Sequence, residues 1–296
     1  MATTSDLINQ IKLRGSFPTS DDLFSNADYL SILNDEMMNH ITPMLTKLNE
    51  EYFLAYQDTQ LTVGQSEYRI PKRAAGSMLR DVQLISASGS VISLGRLFEE
   101  DKYSTNNGQS GYYIKSNQVV ISPTPASGDM TLRLAYFRRP SKFVLPTSCA
   151  KIISINVATK QVTVSSLPGN MTTGTQIDFF QADSPYDLLD MNSIITNAAG
   201  TTVTFSALPK DLAIGDYLGM QGETCAPMIP EELVPVLVQA ALCTCLSSKK
   251  DKSVELELQK LEQQKQSVVT MLAPRVKSND VKIKTSNSLL NNFRSR

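Results

Sequence analysis

The spacing of apolar residues changes along this chain, and that change constrains the fold more than any other feature. Between Leu30 and Phe53 apolar residues recur mainly every three or four positions, which predicts a helix with one apolar face. Pro43 is expected to kink or divide that helix. From Thr59 apolar and polar residues alternate instead, as in strands, and helical spacing returns after Pro230. The sequence therefore predicts an α+β fold with helices at both ends and strands between them.

The chain ends are predicted to meet. Residues 1–58 and 226–273 are expected to form one helical bundle, with the β segments inserted between them, because adjacent termini tolerate insertions. At the C-terminal side one helix follows Pro230 and runs to about residue 246. A short polar link and a second helix from Val254 to about residue 273 follow, which favours an antiparallel pair.

A β-rich insertion is predicted over residues 59–148. Its expected elements are strands at 61–63, 68–71, 78–86 and 131–137, a short helix at 94–102, and a tight hairpin at 112–121. The hairpin prediction rests on two apolar-rich runs separated by the dipeptide Ser116-Asn117.

Residues 149–225 are predicted to form a separate unit, because they contain an internal repeat. The segment 162–168, VTVSSLP, matches 203–209, VTFSALP, and this offset of 41 residues also aligns Gly174 with Gly215. Two copies are too few for a solenoid. Short strands with Pro and Gly turns instead predict a small β-barrel or sandwich in which the copies pair.

The segment 274–296 has a different composition. It holds six basic residues against the single acid Asp280, and it is rich in Asn and Ser. A flexible, solvated end is one interpretation. The apolar residues Leu289, Leu290 and Phe293 favour the other, an extended C-terminal arm that orders against a partner.

Residues that commonly carry catalysis are scarce. His40 is the only histidine, so a multi-histidine metal centre is excluded, and a solvated or capping role is expected for it. Cys243 and Cys245 are predicted on one helix, where residues two apart point about 200° from each other and cannot share a metal. All four cysteines are expected to be free and buried. No metal or cofactor is predicted.

Carboxylates are the remaining catalytic candidates. Glu99 and Glu100, or Asp183 and Asp187, have the chemistry of a glycosidase pair. The first pair belongs to a charge run, which is typical of a solvated surface, and the second lies beside Ser184-Pro185, where acids cap a helix turn. The sequence therefore predicts a protein that is not an enzyme.

Whole-chain charge excludes two further classes. The 28 basic and 29 acidic residues give a net charge of −1, which is unlike a nucleic-acid coat or an acidic tail. No apolar run approaches the ~18 residues that span a bilayer, so no membrane partner is expected.

Three segments, in order along the chain and followed by the basic arm, carry a family resemblance. They are YYIKSNQVVISPTP at 112–125, LRLAYFRRP at 132–140 and IPEEL at 229–233. Together they resemble the head–tail connector, or adaptor, proteins of tailed bacteriophages, of the short-tailed type. The repeat-bearing unit departs from the minimal adaptor pattern.

The resemblance implies a ring, usually of twelve subunits, between the portal and the tail in the virion, assembled in the host cytoplasm. Such a ring extends the DNA channel, contacts the genome without base readout, and binds a downstream tail protein. The family's C-terminal arm commonly docks on the portal protein. If this chain docks in the same way, Leu289, Leu290 and Phe293 would occupy apolar grooves of the portal protein, and Arg294 and Arg296 would pair with its acidic groups.

Two other functions stay open. A glycan-binding or other virion interaction module would use the polar β unit at 149–225. The other is a peptidoglycan hydrolase, because the resemblance to short-tailed phage adaptors also implies this activity. Its candidate catalytic residues are Glu99, Glu100, Asp183 and Asp187.

Overall fold

The computed structural model describes residues 2–18, 24–98 and 110–272, and the fold is α+β. The described helices are α1 (Thr4–Arg14), α2 (Asn26–Glu36), α3 (Thr42–Leu48), α4 (Val234–Lys249) and α5 (Val254–Leu272). A π-helical turn, Met37–Ile41, joins α2 to α3, and 3-10 turns occur at Glu50–Phe53, Pro146–Ser148 and Glu231–Leu233.

Strands fill the chain between α3 and α4. The first nine are β1 (Leu54–Gln60), β2 (Glu67–Arg69), β3 (Ala74–Ser86), β4 (Val91–Ser93), β5 (Gly95–Arg96), β6 (Gly111–Lys115), β7 (Gln118–Ser122), β8 (Met130–Arg138) and β9 (Lys142–Phe143). The others are β10 (Ala150–Asn156), β11 (Gln161–Val164), β12 (Gln176–Phe180), β13 (Leu188–Ala199), β14 (Thr202–Phe205), β15 (Tyr217–Met220) and β16 (Glu223–Thr224).

Local sequence signals position the first helices. Thr3 and Asp6 form a capping box at the start of α1, in which each side chain satisfies a backbone amide of the other residue. Ser25 and Asp28 do the same for α2. The predicted interruption at Pro43 is confirmed: Pro43 stands in the first turn of α3, directly after the π-helical turn, where its missing amide costs little.

Helices from both ends of the chain share one apolar core. Leu7 of α1, Leu33 of α2 and Leu261 of α5 are buried together with most of α4. The stretch Glu231–Lys249, which contains α4, is the one described helical stretch long and apolar enough to cross a membrane, and 67% of it is buried inside the protein. Packing against α1, α2 and α5 therefore accounts for its apolar composition.

Two four-stranded sheets follow, with strand orders β1-β8-β3-β4 and β2-β7-β6-β5. They share a second apolar core, to which Ile70, Val82, Val119 and Leu132 contribute fully buried side chains. The predicted hairpin is confirmed as β6 and β7, and Ser116 in its turn has a φ of 55°. That left-handed conformation is typical of a tight hairpin turn.

Six strands close into a barrel with the order β10-β11-β14-β13-β12-β15, so of the two predicted forms, a small β-barrel or a sandwich, the chain adopts the barrel. The repeat offset carries β10, β11 and β12 onto β13, β14 and β15. The strand β11 pairs with β14 through Val162 and Val203, and β12 pairs with β15 through Asp178 and Gly219. Both pairs join equivalent residues of the two copies, so the copies are related by an approximate two-fold axis through these pairs.

The boundary between helix and strand was predicted too late. Residues 54–57 were expected in the helical region, but β1 begins at Leu54, and residues 61–63, expected as a strand, follow its end. Pairing with β8 decides this, since Ala55 lies opposite Tyr136 and is buried in the sheet core. Tertiary pairing overrides the helical spacing of the preceding residues.

The short helix expected at 94–102 is wrong within the described residues 94–98. There β5 forms a strand, because the amide of Leu94 donates to the carbonyl of Val82 at 2.8 Å and that of Leu97 donates to Tyr112 at 2.7 Å. Partners distant in sequence satisfy these amides, so no local helix forms.

Candidate interaction surfaces

A buried ion pair joins the barrel to the sheets. The Asp178 carboxylate of β12 is fully buried and accepts a hydrogen bond from Nη1 of Arg73 at 2.5 Å. It also accepts the backbone amides of Asn192 at 3.0 Å and Gly222 at 2.9 Å. The Nη2 group of Arg73 donates to Oγ of Ser141 at 2.7 Å. The Arg73–Asp178 bond crosses between the two units, and the other bonds hold its two partners in place.

The barrel's symmetry breaks at this anchor. The repeat equivalent of Asp178 is Gly219, and both lie on the approximate two-fold axis. A side chain at Gly219 would clash, since a Cβ there would lie 2.5 Å from the carbonyl oxygen of Glu223 and 2.9 Å from the ring of Phe180. One copy of the repeat therefore carries the charged anchor, and the other permits close packing.

A second guanidinium lies near the anchor. Burial, together with the positive charge of Arg73, lowers the pKa of Arg138 to about 10. Within the described part of the chain, its Nη1 is buried without a hydrogen-bond partner. Burial and the negative charge of Asp187 raise the pKa of the neighbouring Tyr52 to about 12. The region therefore holds two guanidinium groups together with the carboxylates of Asp178 and Asp187.

A cleft opens beside the anchor, between β1 and the barrel. It consists of cavities of about 440 Å³ and about 340 Å³, which share Gln57, Tyr136 and Asn192 in their walls. The larger cavity is also lined by Arg69, Lys72 and Arg73. These volumes lie within the range of ligand sites, which often occur between structural units.

A more apolar groove lies between α3 and α5. Its volume is about 520 Å³, and its lining includes Pro43, Met44 and Val269. His40 also lines it, and its Nε2 lies 3.8 Å from a carboxylate oxygen of Glu36. The His40 side chain is about half exposed, at 46%, which agrees with the predicted solvated position.

Most predicted site residues lie outside the described residues. This applies to Glu99 and Glu100, and to the arm at 274–296 with its five proposed portal contacts, Leu289, Leu290, Phe293, Arg294 and Arg296. Asp183 and Asp187 are described, and both lie in the connection between β12 and β13. Their predicted helix-capping role is wrong, because the amide of Tyr186 bonds the Asp183 carbonyl at 2.8 Å in a turn between strands.

The cysteines are free and buried, as predicted. Cys149 immediately precedes the barrel and Cys225 follows β16, and contact with Cys225 together with burial raises the pKa of the Cys149 thiol. Burial raises the pKa of Cys245, in α4, to about 11. Among the described residues, no group of three or more His, Cys, Asp or Glu side chains is arranged to hold a metal.

The anchor at Arg73, Asp178 and Arg138 was not predicted. One signal for it existed, since the 41-residue offset places a charged residue in one copy where the other has glycine. Its partners were hidden, because Arg73 and Asp178 are 105 positions apart. Charge pairing at such separations leaves no periodic pattern in a single sequence.

No family model matches this chain. No curated protein has a sequence similar enough to count as a relative. The fold and the surfaces described above therefore carry the functional argument.

Proposed function

We propose that this protein is a structural subunit of a tailed-phage virion, a head–tail adaptor that forms a ring between portal and tail. In this proposal it binds copies of itself, the portal protein and a downstream tail protein, and it contacts the genome without reading sequence. It has no catalytic activity and needs no cofactor.

The shared core of the two chain ends is the observation that carries the proposal. The N-terminal helices α1 and α2 pack on α4, and α5, which follows α4 in the chain, packs on it too. In this proposal these helices form the helical bundle of the subunit. The two sheets and the barrel are inserted into that scaffold between α3 and α4. A subunit of this kind suits a ring, in which one surface of each copy contacts a different surface of the next.

The C-terminal segment supplies the proposed portal contact. In the sequence it follows α5, which ends at Leu272. Its basic residues suit an acidic surface, and Leu289, Leu290 and Phe293 suit apolar pockets.

Deletion of residues 280–296 tests this role. We expect the truncated protein to keep its circular dichroism spectrum and its ring in negative-stain images, and to lose binding to the portal. A matched control replaces Arg275 and Lys277 with alanine and leaves the proposed contacts in place. Portal binding by the truncated protein would refute the docking role, and monomers at micromolar concentration for the full chain would refute the ring.

Glycan binding by the barrel is the second candidate. On β11 and β14 the side chains of Val162 and Val203 point into the barrel, so Thr163, Thr202 and Thr204 point outward and form a polar surface. A glycan array probed with the full chain tests this, and Thr163→Lys is the variant expected to abolish any signal. A zymogram tests the hydrolase alternative, and we expect no clearing.

A further inference from the structure

The strand β1 has a free edge. It forms one side of its sheet and pairs only with β8 among the described strands. Tyr56, Gln57 and Asp58 are consecutive, and all three line the smaller cavity of the cleft. Since neighbouring side chains of a strand point to opposite faces, a cavity lined by all three meets the edge of the strand. The unpaired amides and carbonyls of that edge therefore face the cleft.

The side chains of β1 leave this edge accessible. Asp58 points to the same face as Arg133 of β8, and two hydrogen bonds at 2.8 and 2.7 Å join its carboxylate to that guanidinium. Tyr56 is 54% exposed and lies beside Arg133, whose guanidinium carbon is 5.6 Å from the ring centre. Both side chains therefore contact Arg133 of β8, and they also line the smaller cavity.

The opposite wall of the cleft is also a strand edge. Residues 188–192 of β13 line the smaller cavity consecutively, and this part of β13 pairs with β12 alone, since pairing with β14 begins at Ile195. The backbone amide of Met191 donates to the side chain of Asp190 at 2.8 Å instead of to a neighbouring strand. The cleft is therefore bounded by backbone on both sides.

The charge of the cleft selects its occupant. Arg69 and Lys72 are exposed at the larger cavity, and no acid is found among the described residues that line it. The smaller cavity is lined by Asp58, which pairs with Arg133, and by Asp190, so the positive end of the cleft is the larger cavity. The Arg73 guanidinium is paired with Asp178, so the positive charge that an occupant would meet comes from Arg69 and Lys72. An acidic segment would complement that charge. The basic C-terminal segment of this chain has the wrong charge for the site.

We propose that the free edge of β1 is a strand-addition site, which binds an extended acidic segment of a partner protein. Backbone hydrogen bonds to β1 would give affinity, and carboxylates placed near Arg69 and Lys72 would give orientation and specificity. This proposal does not depend on the adaptor function, since it rests on the sheet order, the lining of the cleft and its charge.

Fluorescence anisotropy with the full chain tests the proposal. The probe is a short fluorescein-labelled peptide that alternates valine and threonine and ends in glutamates. One control peptide carries lysines in place of the glutamates. A second keeps the glutamates but is N-methylated at every backbone amide of the alternating segment, so neither of its edges can donate to β1. Unlabelled oligothymidylate serves as a competitor that carries phosphate instead of carboxylate.

We expect the glutamate peptide to bind at least about tenfold more tightly than either control peptide. The double variant Arg69→Glu with Lys72→Glu should weaken that binding by about tenfold or more, while Lys210→Glu, on an exposed barrel loop, should leave it unchanged. Arg69→Gln with Lys72→Gln, which adds no repulsion, should give an intermediate loss.

Three results would overturn the proposal: no detectable binding of the glutamate peptide, equal binding of the N-methylated peptide, or full displacement by oligothymidylate at stoichiometric concentration. The first removes the site, the second removes strand addition, and the third assigns the cleft to nucleic acid. Circular dichroism and thermal unfolding of each variant separate loss of binding from loss of fold.

Discussion

Replacing Asp178 with asparagine should destabilise the protein strongly while changing the side-chain shape very little. The Asp178→Asn variant removes the only carboxylate that the structure shows bonded to Arg73, and Arg138 lies nearby within the same buried region. The asparagine amide group would also meet backbone donors, since the Asn192 and Gly222 amides both point at the present carboxylate.

The expected loss follows from the burial of the pair. Asp178 is fully buried and Arg73 is 8% exposed, so solvent screens the remaining positive charges little. Removing one partner of a buried ion pair costs about 3–5 kcal/mol, because the other charge stays buried without compensation. For a chain of this size, about 2 °C per kcal/mol predicts a fall in melting temperature of roughly 6–10 °C.

Differential scanning calorimetry measures this loss. The double variant Asp178→Asn with Arg73→Met removes both charges of the pair, and it should lose less stability than the sum of the single variants. Asp211→Asn, in an exposed loop of the barrel, is the matched control and should melt within about 1 °C of the wild type. A fall below about 2 °C for Asp178→Asn would refute the reasoning, because it would mean that water or another group compensates the charge.

The remaining predictions concern the barrel core, alkaline stability and the cysteines. Val162→Ala and Val203→Ala should each lower the free energy of unfolding, measured in urea, by about 1–3 kcal/mol. The two losses should agree within about 0.5 kcal/mol, because both residues are fully buried and face each other across the symmetry axis. Unequal losses would contradict that symmetry. The pKa of Tyr52 is raised, so its contribution to stability is complete below pH 10 and is lost as the pH rises to about 12. Between pH 9 and pH 11 the free energy of unfolding of Tyr52→Phe should therefore fall by about 1 kcal/mol less than that of the wild type. An equal fall in both proteins would contradict this prediction. All four buried cysteines should resist iodoacetamide at pH 8 until denaturant is added, as read by mass spectrometry; rapid alkylation of the native protein would show that they are accessible.

Much of the local structure follows from the sequence. The helical spacing and the position of Pro230 predict α4 and α5 because an amphipathic or apolar period is a property of neighbouring residues. The hairpin at 112–121 follows from its two-residue turn, which tolerates few conformations. The repeat offset predicts a small β-barrel or sandwich, because each copy offers only a few strands and pairing the copies completes the sheet, and the chain forms the barrel.

Contacts between distant residues decided the rest. Residues 54–57 form a strand because β8, about eighty positions away, pairs with them. Gly95–Arg96 forms a strand, and the flanking amides of Leu94 and Leu97 donate to Val82 and Tyr112. The cleft and its charged anchor exist only where the sheets meet the barrel. Local spacing and turn chemistry act between neighbouring residues, so the sequence alone predicts them. A buried ion pair or a free sheet edge depends on which distant segments pack together, and only the tertiary structure determines that packing.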